Sequence, residues 1–483
     1  MLQKPEQPVP EPTAQLRALG EGRTPARAVF VRGGTVLDQT GERRADVVVV
    51  DGRISAVGTG EEAPRGAVVL EADGCIVCPG LVDLHTHARE PGAEEAETVQ
   101  SASRAAALGG YTAFVAMPNT QPAIDSAAVA REVLDLGVAA LCRVCVAGAI
   151  TVGRAGERLS PMAELARLGV RIFTDDGTGV QDPAVMRRAM EYACGLGVTL
   201  AEHCEDSSLA ASGAMNEGAW SSRLGVPGIP AEAELVMAAR DIALARLTGA
   251  RLHLLHVSSA ATIRTAAEAK SEGLPVTVEV TPHHLSLTDA ALAGFDPVFK
   301  VNPPLRTACD VAALREACLS GSVDAIATDH APHPPESKDL PLADAPPGML
   351  GLETALAVSI GALVRGKPDL HPKGIGPPAD PKSARRKKDQ SLDMKDLIAL
   401  MSWRPASIAG ISVEQGGDQG GPIAVGLPAN LCVIDPSHRW TVDVGRLSSR
   451  SRNSPYEGVK LQGKVRHTMY RGEPVVVDFE AQR

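Results

Sequence analysis

His85 and His87 stand two residues apart at the end of an apolar run, Val82-Asp83-Leu84-His85-Thr86-His87-Ala88-Arg89-Glu90-Pro91-Gly92. Residues i and i+2 of a strand project from one face, so the two imidazoles flank a common point. Imidazole nitrogen suits zinc, and a converging pair is half of a typical catalytic site. Were these packing residues, one would face a core and the other solvent, which the spacing disfavours. Other apolar runs also end in ligand-type residues: Asp175 and Asp176, His203, His256 and Asp329. Core packing does not demand a histidine or carboxylate at the ends of five separate strands, whereas a shared metal site accounts for all of them at once.

The elements that must position these residues alternate along the chain. Eight strand-like runs, 81–87, 112–119, 141–150, 169–177, 198–205, 251–259, 276–284 and 323–333, are separated by stretches with helical spacing of apolar residues. Two of these, DPAVMRRAMEYACGLG and AEAELVMAARDIALARLTG, end in glycine, as helices often do. Eight such units predict an α/β fold, a TIM (β/α)8 barrel, with its active site at the C-terminal ends of the strands. Short strands punctuated by Gly and Asp fill 28–78, and a similar β-rich tail follows from about Gly420. The expected organisation is an extension 1–27, a β-sandwich built from 28–78 and 411–483, and a barrel over 79–410. The barrel carries a Pro- and Lys/Arg-rich surface insertion at 366–393, where His371 is no ligand candidate and the run Arg385-Arg386-Lys387-Lys388 reads as solvated loop charge. The segment 334–348 is placed to close over a bound substrate.

Composition narrows the function classes. With 483 residues, 44% hydrophobic and only 3% aromatic, the chain builds a large core mainly from Ala, Val, Leu and Ile. A formal net charge of −10 argues against a nucleic-acid partner. Nine cysteines, an odd number scattered over the chain, do not form a secreted disulfide framework, and a cytoplasmic setting is expected. Residues 1–27 lack the apolar core of a signal peptide or membrane span, so no membrane partner is expected.

Two cations a few ångströms apart are normally bridged by an anionic ligand with two oxygens. No lysine occurs between Lys4 and Lys270, so a carboxylated lysine cannot serve at the fourth strand and a carboxylate must. Asp176 is the bridging candidate, while Asp175 caps the following turn or orients a ligand. His85, His87 and Asp329 would hold the first metal, and His203 and His256 the second. One or two zinc ions there would bring a bound water's pKa near neutrality and polarise a carbonyl, so that metal-activated hydroxide attacks an amide-like bond. Asp329 is the catalytic general base, and then the acid toward the departing nitrogen.

The motifs HTHAREPG, MPNT, FTDDG, AEHCED, LLHVSS, VNPPLR and ATDHAPH, in this order, closely resemble dihydroorotases of the amidohydrolase superfamily, in particular the longer bacterial class with an aspartate in place of the carboxylated lysine. The similarity runs from about Ala28 to the C-terminus, apart from the insertion. It implies the barrel and sandwich read above, and reversible cyclisation of N-carbamoyl-L-aspartate to L-dihydroorotate in pyrimidine synthesis. The guanidinium of Arg89, just past the metal pair, offers a fork for the substrate carboxylate, with Asn119 as an amide donor. By resemblance His333 also binds the carboxylate and Asn302 touches the ring. Rival readings are a hydantoinase, dihydropyrimidinase or allantoinase, which usually keep the bridging lysine, and a non-catalytic structural partner of aspartate transcarbamoylase, which would have lost metal ligands. An active enzyme associated with that transferase, or with further copies of itself, is also compatible with the sequence.

Overall fold

The computed structural model describes residues 28–365 and 391–483. The expected extension 1–27, and the insertion up to residue 390 with His371 and the four basic residues, lie outside the described residues.

Strands β1 (Ala28–Asp38), β2 (Gly41–Val50), β3 (Arg53–Gly58), β4 (Val68–Glu71) and β5 (Ile76–Pro79) come first. The barrel follows with β6 (Leu81–Thr86), β7 (Tyr111–Ala116), β8 (Arg143–Val146), β9 (Ile172–Phe173) and β10 (Thr199–Glu202). A short parallel pair, β11 (Met215–Asn216) and β12 (Gly228–Ile229), precedes β13 (Arg251–Leu254), β14 (Val276–Val280) and β15 (Ala325–Ile326). The chain ends with β16 (Leu431–Thr441), β17 (Lys460–Tyr470), β18 (Glu473–Val477) and β19 (Glu480–Ala481).

All eight expected barrel strands form, and each pairing between them is parallel. Two isolated parallel bridges complete the ring: Gly148 with Phe173 joins β8 to β9, and Thr86 with His330 joins β6 to the end of β15. The strands are shorter than the apolar runs that announce them. Ladder pairing stops at Phe173, Glu202, Leu254 and Ile326, and the polar residues beyond sit on turns at the C-terminal rim. Ala113, Ala147, Ala201 and Ala325 are buried inside the ring, so small side chains fill it in keeping with the low aromatic content. Helix Trp403–Ile408 packs Ala406 against that interior from the opposite end, where Ser402 Oγ donates to Gly80 O at 2.8 Å.

Between the strands lie the expected helices. Helix Pro183–Leu196 starts where Asp182 accepts from the Ala184 N–H and Pro183 needs no N–H partner. It buries Val185, Met186, Ala189, Met190 and Ala193 and stops at Gly197, whose φ of 65° a residue with a Cβ would resist. Helix Ala231–Thr248 ends at Gly249 in the same way.

The two chain ends share one hydrogen-bonded sheet, in which β16 pairs antiparallel with β5 and places Cys432 opposite Cys78. Its own core, Val29, Val47, Val77, Leu431 and Val433 among others, is separate from that of the barrel, as a β-sandwich requires. Segment 334–348 is pinned. Lys300 Nζ donates to Leu342 O (2.8 Å) and Ala343 O (2.9 Å), and Lys338 Nζ to Pro346 O (2.7 Å) and Pro297 O (3.1 Å). Buried Asn453 ties its two ends together, donating to Ala331 O (2.9 Å) and Gly348 O (3.1 Å) and accepting from the His333 N–H (3.2 Å).

Candidate metal centre

The barrel geometry brings six of the expected residues to one place. His85 lies within β6, His87 one residue beyond it, His203 directly after β10, and Asp176, His256 and Asp329 on the turns after β9, β13 and β15. All six are buried. Ligand atoms of His85, His87 and Asp176 lie within 4.8 Å of one another, as do those of Asp176, His203 and His256. Asp176 is thus common to both groups. Asp329 Oδ1 joins the first, 3.2 Å from His87 Nε2 and 3.6 Å from His85 Nε2.

Tautomers decide what these atoms offer. His85 Nδ1–H donates to the buried Glu279 carboxylate at 3.0 Å, which leaves the Nε2 lone pair facing Asp176 Oδ1 at 3.4 Å and Asp329 Oδ1. That Nε2 atom has no hydrogen-bond partner. Asn119 donates through Nδ2 to Asp176 Oδ2 (3.3 Å), so its Oδ1 accepts from His87 Nδ1–H (2.9 Å) and the His87 Nε2 lone pair also turns to Asp329. His203 Nδ1 and His256 Nε2 approach to 2.9 Å, with Asp176 Oδ1 at 3.6 and 3.5 Å. Approaches this close among ring nitrogens and carboxylate oxygens require positive charge between them, either a shared proton or a cation. A tetrahedral cation bonded at about 2.0–2.1 Å sets its donors about 3.3 Å apart, which these separations match.

The same crowding moves the proton affinities. Burial alone would raise the Asp176 carboxyl, but the His85 charge and the contacts with His203, His256 and His85 hold it well below the usual carboxylate range. Asp329 is likewise held low against burial, by His85 and His87. Burial opposes charging of His85, yet Asp176 and Asp329 raise its proton affinity well above that of an ordinary imidazole. All three shifts report one fact: the cluster binds positive charge.

Asp175 points elsewhere. Its side chain accepts from the N–H groups of Ile150 (2.8 Å) and Thr151 (3.0 Å) and from the Thr151 hydroxyl. Arg89, half-buried, donates Nε to Pro332 O at 3.1 Å and does not pair with Glu90, whose carboxylate accepts from the Val99 N–H. His333 Nε2–H donates to Pro347 O (2.8 Å), and Arg89 Nη2 lies 3.4 Å from the same nitrogen. Burial, with the Arg89 and Lys338 charges, depresses His333 to about 3, so its ring is neutral. Asn302 donates Nδ2 to Glu205 Oε1 at 3.3 Å, while its Oδ1 is shielded and unpartnered.

Several supporting residues escaped the sequence reading. Glu279 accepts from His85, from His253 Nε2–H (3.0 Å) and from the His256 N–H (3.2 Å). The signal was present: Glu279 is the one acid in the strand Val276–Val280, and a buried carboxylate needs donors. Asp83 ties β6 to the end of β15, accepting from the Thr328 N–H and hydroxyl, both at 2.7 Å. His330, by contrast, faces away from the cluster as alternation from Asp329 predicts, and donates to Glu97 at 3.2 Å.

Residues 74–262 match the family described as dihydro-orotase-like. The dihydroorotase of Mycobacterium tuberculosis is 45% identical over 438 residues, 90% of this chain and 95% of that one. The dihydroorotase of Anaeromyxobacter dehalogenans is 44% identical over 460 residues, 94% of this chain and 99% of its own. Among solved structures, the L-hydantoinase (dihydropyrimidinase) of Arthrobacter aurescens superposes with a TM-score of 0.79 at 23% identity, covering 94% of this chain and 97% of that one. The dihydropyrimidinase of Brevibacillus agri gives 0.77 at 23% identity, over 94% and 96% of the two chains. At that identity the likeness speaks for the shared barrel and sandwich. Identity near 45% over nine-tenths of the sequence goes further, and the chain belongs to the dihydroorotase family.

Proposed function

We propose that the chain interconverts N-carbamoyl-L-aspartate and L-dihydroorotate at a zinc centre held by His85, His87, Asp176 and Asp329 on one side and by Asp176, His203 and His256 on the other. The observation that carries this reading is the convergence of four buried imidazoles and the Asp329 carboxylate around the Asp176 carboxylate. Nitrogen and carboxylate donors suit zinc, which when bound supplies Lewis acidity to a water and to the scissile carbonyl.

The chain's own residues do the rest. Asp329, ionised and beside both His85 and His87, takes the proton of the attacking water and delivers it to the ring nitrogen that departs. Arg89 donates Nε to Pro332 O and sets Nη2 3.4 Å from His333 Nε2, so its terminal nitrogens offer a fork for the substrate carboxylate beside that ring. His333 joins that contact by exchanging the Pro347 carbonyl for the carboxylate. The second hydrogen of Asn119 Nδ2 reaches the same anion, and the unpartnered Asn302 Oδ1 accepts a ring or ureido N–H.

All six donors come from a single chain, so association with aspartate transcarbamoylase or with further copies would join complete sites. Nine free cysteines support a reducing, cytoplasmic compartment. Among the described residues no helix is long and apolar enough to cross a membrane.

Purified protein offered dihydroorotate, hydantoin and allantoin distinguishes the readings. Turnover of dihydroorotate alone is expected, whereas a preference for hydantoin or allantoin contradicts the proposal.

A further inference from the structure

An aspartate carries its carboxylate on a single methylene, so Asp176 reaches a point shared by β6, β10 and β13 only if its own backbone is drawn toward the barrel axis. Pairing does not draw it there. Strand β9 is two residues long, and its last main-chain bond to the preceding strand is Thr174 N–H to Gly148 O at 2.8 Å. Beyond it, side chains take over.

Fully buried Asp175 accepts from Ile150 N–H (2.8 Å), Thr151 N–H (3.0 Å) and the Thr151 hydroxyl, replacing the missing ladder with contacts to the turn after β8. The same turn sends back Arg154, whose Nη2 donates to the main-chain oxygen of Asp176 at 2.8 Å. Arg154 holds a left-handed φ of 56°, a conformation that residues with a Cβ rarely adopt, and its side chain nevertheless runs inward with a shielded Nε. Thr151 Oγ1 in turn accepts from the Gly156 N–H at 2.9 Å, which closes the turn on itself. The Asp175-Asp176 pair is therefore gripped on both sides: one side chain reaches out to 150–151, and one guanidinium reaches in from 154.

We infer that Asp175 and Arg154 are positioning residues that set the bridging carboxylate of Asp176 at the depth where both metal groups share it. Their role rests on the zinc reading of the site. Neither belongs to the two groups of ligand atoms, and Arg154, on a half-exposed turn, can be changed without opening the core.

Zinc titrated into chelator-treated, full-length protein tests this in the wild type and in Arg154→Met, Arg154→Lys and Asp175→Asn variants, with far-UV circular dichroism as a folding control. The wild type is expected to take up two equivalents. In Arg154→Met the second equivalent weakens at least about tenfold, the scale seen when outer partners of metal ligands are removed. Arg154→Lys, which can still donate to the Asp176 carbonyl, recovers most of that loss, and Asp175→Asn moves in the same direction as Arg154→Met. In parallel, kcat falls in Arg154→Met while KM for dihydroorotate stays within about twofold. Two equivalents bound by folded Arg154→Met with wild-type affinity would overturn the clamp and leave the zinc reading standing. Fewer than two equivalents on the wild type would overturn the shared-carboxylate reading itself, and the clamp with it.

Discussion

At the scale of single residues, function here is a matter of which lone pair points where. Glu279 and Asn119 fix the tautomers of His85 and His87, and the nitrogens that remain aim at carboxylates. Glu279→Gln keeps the shape but offers one acceptor oxygen where His85 and His253 both donate. Zinc affinity is expected to fall about 10–100-fold, measured by competition with a chelator, with the barrel still folded. Arg89→Lys exchanges a planar fork for a point charge, so KM for dihydroorotate should rise about tenfold or more while zinc content is unchanged. The histidines were legible in the sequence because a lone polar residue closing an apolar run has few structural uses. The choice of Asp176 over Asp175 agrees with the structure, but alternation alone could not have justified it, because the strand ends at Phe173 and a turn decides which side chain faces the cluster.

Elements were legible in number and order more than in length. The run 169–177 announced a strand, yet only Ile172–Phe173 pairs, because hydrophobic alternation continues into a turn whose geometry is set by contacts with 148–154. Partners distant in sequence left no local trace at all. Asn453, 120 residues beyond His333, fastens both ends of segment 334–348, a tie that only the folded chain displays. Asn453→Ala strands buried carbonyl and N–H groups, at about 1–3 kcal/mol each. A lowered Tm and a raised KM are the expected result, with zinc content retained. Where β15 meets β6, burial lifts the Asp83 carboxyl to about 6 despite its threonine donors. The folded state therefore holds this proton more tightly than the unfolded chain. Its stabilisation is full below pH about 4, declines as pH rises through about 6 and is absent above, a change on the order of 3 kcal/mol. Urea unfolding of wild type and Asp83→Asn at pH 5 and pH 7 checks the sign: the wild type should lose more stability than the variant across that interval.

For the whole molecule, the sequence predicted a barrel flanked by a sheet drawn from both chain ends, and the structure contains both, with the join made where β16 pairs with β5. That architecture is common to the hydantoinase and dihydropyrimidinase structures at 23% identity, so it does not select a substrate. The family is shown by sequence identity to dihydroorotases, and the proposed substrate contacts are the rim residues Arg89, Asn119, Asn302 and His333. Because the six proposed metal ligands come from the ends of five different strands, cations bound there would also tie the rim together. Zinc bound to the folded state alone should raise the Tm of chelator-treated protein in proportion to the logarithm of its concentration. The most direct test of the account is dihydroorotate ring opening by one preparation before chelation, after chelation and after zinc is restored. The account predicts loss of at least about 100-fold on chelation and recovery with zinc. Undiminished turnover with less than about one-tenth equivalent of metal remaining would contradict it.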